Sequence, residues 1–88
     1  MSENTTNTII QFKLELENHR IALDMNPNNT NVKKLMFYRD EFILEKLQEL
    51  KHSIELEAQQ DSLSGVYQLL NETMLIAETN IAMAQAGL

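Results

Sequence analysis

The stretch that decides the fold runs from Val32 to Ala58 and reads VKKLMFYRDEFILEKLQELKHSIELEA. Apolar residues recur in it at intervals of three and four, the spacing that places side chains on one face of an α-helix. A helix over residues 31–60 would be roughly 45 Å long. The pattern therefore predicts one long helix with an apolar stripe that faces a core. The stripe consists of Val32, Met36, Ile43, Leu47, Leu50 and Ile54.

The N-terminal half of this helix carries apolar side chains in more directions than one core contact requires. Phe37 and Tyr38 diverge by about 100° around the helix axis, and Leu44 lies on the same side as Phe37. A helix in a bundle needs an apolar arc of only about 100°. We therefore expect Phe37, Tyr38 and Leu44 to contact a second protein chain.

The preceding segment, from Ile9 to Met25, is compatible with two structures. Apolar and polar residues alternate over residues 10–17, which is typical of a strand. The segment is also long, contains no Gly or Pro, and has no second strand to pair with. These properties favour a helix over residues 9–25, with two apolar stripes on widely separated faces. One stripe is Ile9, Phe12, Leu16 and Leu23, and the other is Ile10, Leu14, Ile21 and Met25.

The residues Asn26-Pro27-Asn28-Asn29 predict a turn between the first two helices. Proline disfavours helical geometry at the residue before it, and asparagine is frequent in turns and caps. Asn29, Thr30 or Asn31 can act as the N-cap of the second helix, and the sequence does not choose among them.

A second connection follows residue 60 and precedes a third helix, predicted over residues 63–86. Asp61, Ser62 or Ser64 can cap that helix. Residues 62–88 contain only two charged side chains, fewer than is usual for a helix that is half exposed in a monomer.

The third helix also carries a second apolar row beside its main stripe. Leu69, Ile76 and Met83 repeat every seven residues, about 120° from that stripe. Because the main stripe already satisfies a core contact, we expect Leu69, Ile76 and Met83 to contact another chain.

Together these patterns predict an all-α protein, with a flexible polar stub at residues 1–8 and a single helical domain over residues 9–88. Short connections make neighbouring helices antiparallel. The fold is then a three-helix antiparallel bundle, or a long helical hairpin with the N-terminal helix packed against it. Because every helix has a second apolar row, we expect oligomerisation to complete the fold.

The composition limits the classes of partner. Seven basic and thirteen acidic residues give a net charge of −6, which disfavours binding to nucleic acid because phosphate contacts require cations. Uninterrupted apolar runs fall far short of the roughly 20 residues of a membrane-spanning helix. The chain has no cysteine and no Sec-type signal sequence. We expect a cytoplasmic protein that binds neither nucleic acid nor membrane.

Few residues point to chemistry. Glu49 and His52 have the Glu-x-x-His spacing of di-iron helices, but they lie about 120° and 180° from the core stripe, which predicts a solvated pair. His19 lies on the main stripe of the first helix, where we expect a boundary residue that makes one hydrogen bond. No glycine-rich phosphate loop or nucleophile motif is present. We therefore predict no enzyme activity, no metal and no cofactor.

One segment resembles a known family. The residues Ala22-Leu23-Asp24, the turn at residues 26–29 and a following helix with Leu35 and Tyr38 resemble the helix–turn–helix of type III secretion needle subunits. Those subunits are small, cysteine-free helical hairpins whose turn carries a Pro-Ser-Asn-Pro-like stretch. The resemblance covers about residues 22–44 and implies a structural assembly subunit. The turn here lacks the second proline and the C-terminal portion is longer, so no functional residue is transferred.

The expected function is that of a small acidic helical module for protein–protein interaction. Its partner is expected to be a second copy of itself, as in an assembly or adaptor protein. An alternative is a small inhibitor, immunity or chaperone-like protein that binds one protein partner. A structural subunit similar to those of secretion needles is a third possibility.

Overall fold

The computed structural model describes residues 3–57 and 64–86, which form three α-helices and contain no strand. Helix α1 spans Glu3–Met25, α2 spans Thr30–Glu57 and α3 spans Ser64–Gln85. All three pairs of helices are in contact, and the contact between α2 and α3 is the most extensive. The helices form an elongated bundle of 45 × 17 × 16 Å. The predicted all-α class and three-helix bundle are confirmed.

Helix α1 differs from the prediction at its start. It begins at Glu3, six residues before the predicted start at Ile9, so residues 3–8 extend the helix. The Thr8 hydroxyl donates to the carbonyl oxygen of Asn4 at 2.8 Å, and Ile9 is fully buried. The ambiguous segment at residues 9–17 is helical throughout, because its side chains pack at helical rather than alternating intervals.

The core of the bundle is built on the spacing of a coiled coil, with buried side chains three, four or seven residues apart. Each helix therefore turns one narrow stripe towards the bundle axis. Two of the α3 core residues are alanines, and small side chains allow helices to approach closely. The buried apolar residues are Ile9, Leu16 and Leu23 in α1, Ile43, Leu47 and Ile54 in α2, and Leu70, Ala77 and Ala84 in α3.

Two asparagines organise the turn between α1 and α2. The Asn26 side chain and main-chain amide both donate to the carbonyl oxygen of Ala22, at 2.8 and 3.0 Å. Asn29 is the N-cap of α2, since its Oδ1 accepts from the Val32 amide at 3.1 Å and its carbonyl accepts from the Lys33 amide at 3.0 Å. The structure thus selects Asn29 from the three candidate caps.

The second connection is only partly described. Helix α2 is described as far as Glu57, and its predicted end at residue 60 lies outside the described residues. The candidate caps Asp61 and Ser62 also lie outside them. Helix α3 spans Ser64–Gln85, one residue short of its predicted end at residue 86, and its predicted start at residue 63 lies outside the described residues.

Replacing the cap residue tests this description of the turn. Asn29→Ala removes the acceptor of the Val32 amide and is expected to lower the free energy of unfolding by about 1 kcal/mol. For a chain of this size that corresponds to a fall in Tm of about 4–8 °C, measured by circular dichroism. Asn28→Ala, an exposed change in the same turn, is the matched control and should leave Tm nearly unchanged. Equal effects of the two substitutions would contradict the assignment of the cap.

Candidate functional site

The outer face of α1 carries a ridge of exposed apolar side chains. Ile10, Leu14, Ile21 and Met25 are between 39% and 75% exposed. At 100° per residue they lie about 120–180° from the buried stripe of α1, so core packing turns them towards solvent. The predicted second stripe of the first helix is therefore on the surface. These four residues are named the α1 ridge.

A shorter ridge lies on α2. Leu35, Tyr38 and Phe42 follow one another at intervals of three and four residues and are 44–69% exposed. Two cations cover part of the Phe42 ring: the Arg39 guanidinium carbon lies 5.2 Å and the Lys46 ammonium 5.4 Å from its centroid. At these distances the cations are attracted to the ring face. Leu35, Tyr38 and Phe42 are named the α2 ridge.

The six residues predicted to form an interface are not brought together by the fold. Tyr38 is the only exposed one, and its ring meets that of Phe37 edge to face, with centroids 5.6 Å apart. The other five are half-buried. Leu44, Leu69 and Ile76 pack against the core. The half-buried members are Phe37, Leu44, Leu69, Ile76 and Met83.

One of these half-buried residues borders the α1 ridge. Ile76 of α3 and Ile21 of α1 line a groove of about 350 Å³ between their helices. Glu17 and Arg20 line the same groove. The α1 ridge therefore continues into a depression that combines apolar side chains with groups of both charges.

A buried polar cluster ties the three helices together. Asp40 of α2 is fully buried, and its Oδ1 pairs with Nδ1 of His19 on α1 at 2.5 Å. Asn80 of α3 is also fully buried and donates from Nδ2 to the carbonyl oxygen of Leu16 at 2.8 Å. Each helix thus contributes one polar side chain to the core at this level.

His19 links the cluster to an ion pair at the surface. Its Nε2 lies 3.4 Å from Oε2 of Glu15, so both ring nitrogens face carboxylate oxygens. Protonation of both nitrogens would let the ring donate in both directions. Arg39 donates to Glu15 through two nitrogens, at 2.5 and 2.9 Å. This bidentate bond holds the pKa of the Glu15 carboxyl below its usual range and raises the pKa of Arg39.

Two buried oxygens in the cluster, Oδ2 of Asp40 and Oδ1 of Asn80, have no hydrogen-bond donor among the described residues. Burial raises the pKa of the Asp40 carboxyl, although the hydrogen bond with His19 opposes the rise. The Asn80 amide is close enough to act on the same pKa.

His19 lies on the predicted core stripe, but the burial of Asp40, Asn80 and a third polar residue, Thr73, was not predicted. The signal for them was the three-residue step of the core spacing, which leads from Ile43 back to Asp40 and from Ala77 on to Asn80. Thr73 satisfies its own hydroxyl, which donates to the carbonyl oxygen of Leu69 at 2.7 Å.

The candidate metal pair lies on the surface. Glu49 and His52 are both exposed, and Glu49 pairs with Lys46, with Oε2 and Nζ 3.2 Å apart. Within residues 3–57 and 64–86, no group of three or more His, Cys, Asp or Glu side chains is arranged to hold a metal ion.

Over the same ranges, none of the helices is both long enough and apolar enough to cross a membrane. Comparisons of the chain with protein-family models, with curated proteins and with solved structures return no match. The geometry of the chain's own residues is therefore the basis for inferring its function.

Replacing Asp40 by asparagine is expected to stabilise the protein at neutral pH by about 1 kcal/mol. The new amide keeps an acceptor for His19 and removes a buried negative charge. A carboxyl whose pKa rises on folding contributes stability that is full below its unfolded pKa and is lost as pH rises through the folded pKa. The gain of Asp40→Asn over the natural protein should therefore grow from acidic to neutral pH in urea unfolding.

Asp24→Asn is the matched control for that substitution. Asp24 is exposed on α1, and among the described residues it makes only an i,i+4 ion pair with Arg20, with Nε and Oδ2 3.7 Å apart. Its replacement should change the free energy of unfolding by less than about 0.5 kcal/mol at any pH. A loss of several kcal/mol in Asp40→Asn at neutral pH would show instead that the ion pair with His19 outweighs its desolvation cost.

Proposed function

We propose that this chain is a small acidic helical protein-interaction module that associates with itself, as an assembly or adaptor protein without catalytic activity. The observation that carries the proposal is the pair of exposed apolar ridges on α1 and α2. All but one of the exposed large apolar side chains in the described residues belong to them, the exception being Leu75. Contiguous apolar patches on soluble proteins mark interaction surfaces more often than isolated apolar residues do.

The size of the protein supports this proposal. A chain of 88 residues buries a smaller share of its surface than a larger domain does, so its core contributes little stability to spare. Covering a ridge with a second chain gains about 25 cal/mol for each Å² of apolar surface removed from water. The cysteine-free composition suits a reducing compartment, and we place the protein in the cytoplasm.

The charges beside the ridges are compatible with a second copy. The net charge of −6 disfavours close approach of two copies, but basic groups lie beside both ridges: Arg20 near the α1 ridge, and Arg39 and Lys46 near the α2 ridge. Charged groups of both signs at the rim of an apolar contact can pair across it and orient the partners.

A second candidate function is that of an inhibitor, immunity or chaperone-like protein that binds one other protein. The α2 ridge favours it, because Tyr38 is 69% exposed and lies one residue from Arg39. Tyrosine and arginine are enriched among the residues that carry most of the binding energy of interfaces. A chain that used only this ridge would be a monomer until it met its partner.

Native mass separates these functions. Light scattering across the micromolar range is expected to give a defined multiple of the 10.2 kDa chain mass, because burial of a ridge favours a closed assembly. A monomer that unfolds cooperatively at every concentration would contradict self-association and leave the single-partner function. A mass that grows without limit as concentration rises would indicate an open assembly, as in a filament subunit.

A further inference from the structure

The α1 ridge has the same spacing when read in either direction. Ile10, Leu14, Ile21 and Met25 follow one another at intervals of four, seven and four residues. In an antiparallel pair of α1 helices, Ile10 therefore meets Met25 of the other copy, and Leu14 meets its Ile21. A parallel pair in register would also align the two ridges, so the spacing alone does not determine the orientation.

A row of charges beside the ridge favours the antiparallel orientation. Lys13, Glu17, Arg20 and Asp24 lie on the side of the ridge that faces α3, and their charges alternate from positive to negative. Read in the opposite direction the row begins with a negative charge. In an antiparallel pair related by a two-fold axis, the same flank of each ridge meets, so opposite charges lie against each other along the whole row. In a parallel pair the two rows lie on opposite sides of the contact, so the row gains no charge pairing with its copy.

The ion pairs that these charged side chains make within one chain leave them available to pair with a second chain. Lys13 and Glu72 of α3 are 3.9 Å apart at their closest charged atoms, and Arg20 and Asp24 are 3.7 Å apart. The four side chains in these two ion pairs are between 32% and 59% exposed. Exposed pairs at such distances are weak and exchange readily for pairs with another chain.

The groove between α1 and α3 coincides with the centre of this row. Its apolar lining is Ile21 and Ile76, and its charged lining is Glu17 and Arg20. A partner side chain from the opposing ridge can enter the groove while the partner's own Arg20 and Glu17 meet these two charges. The apolar contact and the charge pairing are thus compatible in one arrangement.

We infer that two copies of this chain pair through the α1 ridge with their α1 helices antiparallel. The inference rests on the proposed self-association and names its surface. The α2 ridge is the competing surface, but it is shorter, and Arg39 and Lys46 already cover part of Phe42. The α1 ridge extends over residues 10–25, about 24 Å of helix.

Reversing charges in the row tests whether the two α1 helices are antiparallel. Lys13→Glu with Arg20→Glu makes the row entirely acidic, and Glu17→Lys with Asp24→Lys makes it entirely basic. Each double variant replaces opposite-sign contacts by like-sign contacts in the antiparallel dimer. We expect the Kd of self-association, measured by sedimentation equilibrium, to rise at least tenfold in each. An equimolar mixture should regain association as a heterodimer, which native mass spectrometry identifies by its mass.

A control variant with the same change in net charge tests whether the location of the reversed charges matters. Lys34→Glu with Lys51→Glu places the two reversals on α2, away from the α1 ridge. Its Kd should stay within about threefold of the natural protein, since distant surface charges are screened by salt. Equal weakening of the acidic variant and this control would overturn the inference, because net charge alone would then explain the loss.

Matched apolar substitutions test the ridge itself. Leu14 and Leu35 are exposed leucines, one on each ridge. We expect Leu14→Asp to abolish association at concentrations where Leu35→Asp remains dimeric, with the same helicity by circular dichroism in both. Dissociation of Leu35→Asp alone would overturn the inference and assign the contact to the α2 ridge.

These results also separate the inference from the proposed function. If the natural protein is monomeric at every concentration, both the proposed self-association and its assignment to the α1 ridge are contradicted. A natural protein that associates, but whose Kd is insensitive to reversal of the row and to Leu14→Asp, would retain self-association and exclude the α1 ridge as its surface.

Discussion

The packing of the buried side chains of α1 sets the rotation of that helix about its axis, and the other features of the molecule depend on it. Ile9, Leu16 and Leu23 repeat every seven residues and are at most 4% exposed. Residues seven apart drift by only about 20° around a helix, so all three enter the core together. With that rotation set, His19 is brought to Asp40 and the α1 ridge is left in solvent.

The polar cluster sets the position of α1 along the axis of α2. A buried charge without a partner is costly, and a histidine–carboxylate pair recovers that cost only when both groups are correctly placed. Displacing α1 by one turn relative to α2 would separate His19 from Asp40 and leave each near apolar neighbours. We therefore interpret the cluster as a device for alignment rather than a large source of stability. The raised pKa of Asp40 agrees, because it shows that burial disfavours the carboxylate more than His19 favours it.

The exposure of the α1 ridge is a second consequence of the rotation of α1. A single bundle of three helices can bury one stripe of α1, and the stripe that contains Ile9 and Leu16 occupies that position. The second stripe cannot reach the core without displacing the first. The self-association that we propose through α1 thus follows from how this helix packs within one chain.

Much of this was predictable from the sequence, and the exceptions have physical causes. Apolar residues at intervals of three and four were sufficient to predict the three helices and both apolar stripes of α1. The start at Glu3 was missed because the first turns are rich in Asn and Thr, which are weak helix formers. The half-burial of Leu44 and Ile76 was missed because it depends on the distance between helices, which periodicity within one helix does not report. Asp40 was missed because charged residues are rarely fully buried.

Cross-linking between copies tests most directly the claim that α1 packs against α1. The chain contains no cysteine, so Asn18→Cys and Gln11→Cys each introduce a single thiol beside the α1 ridge. In the antiparallel dimer position 18 lies next to itself, whereas the two copies of position 11 are about 20 Å apart along the helices. Under mild oxidation Asn18→Cys should form a covalent dimer and Gln11→Cys should remain monomeric on a non-reducing gel. Equal cross-linking of both variants, or of neither, would contradict the claim.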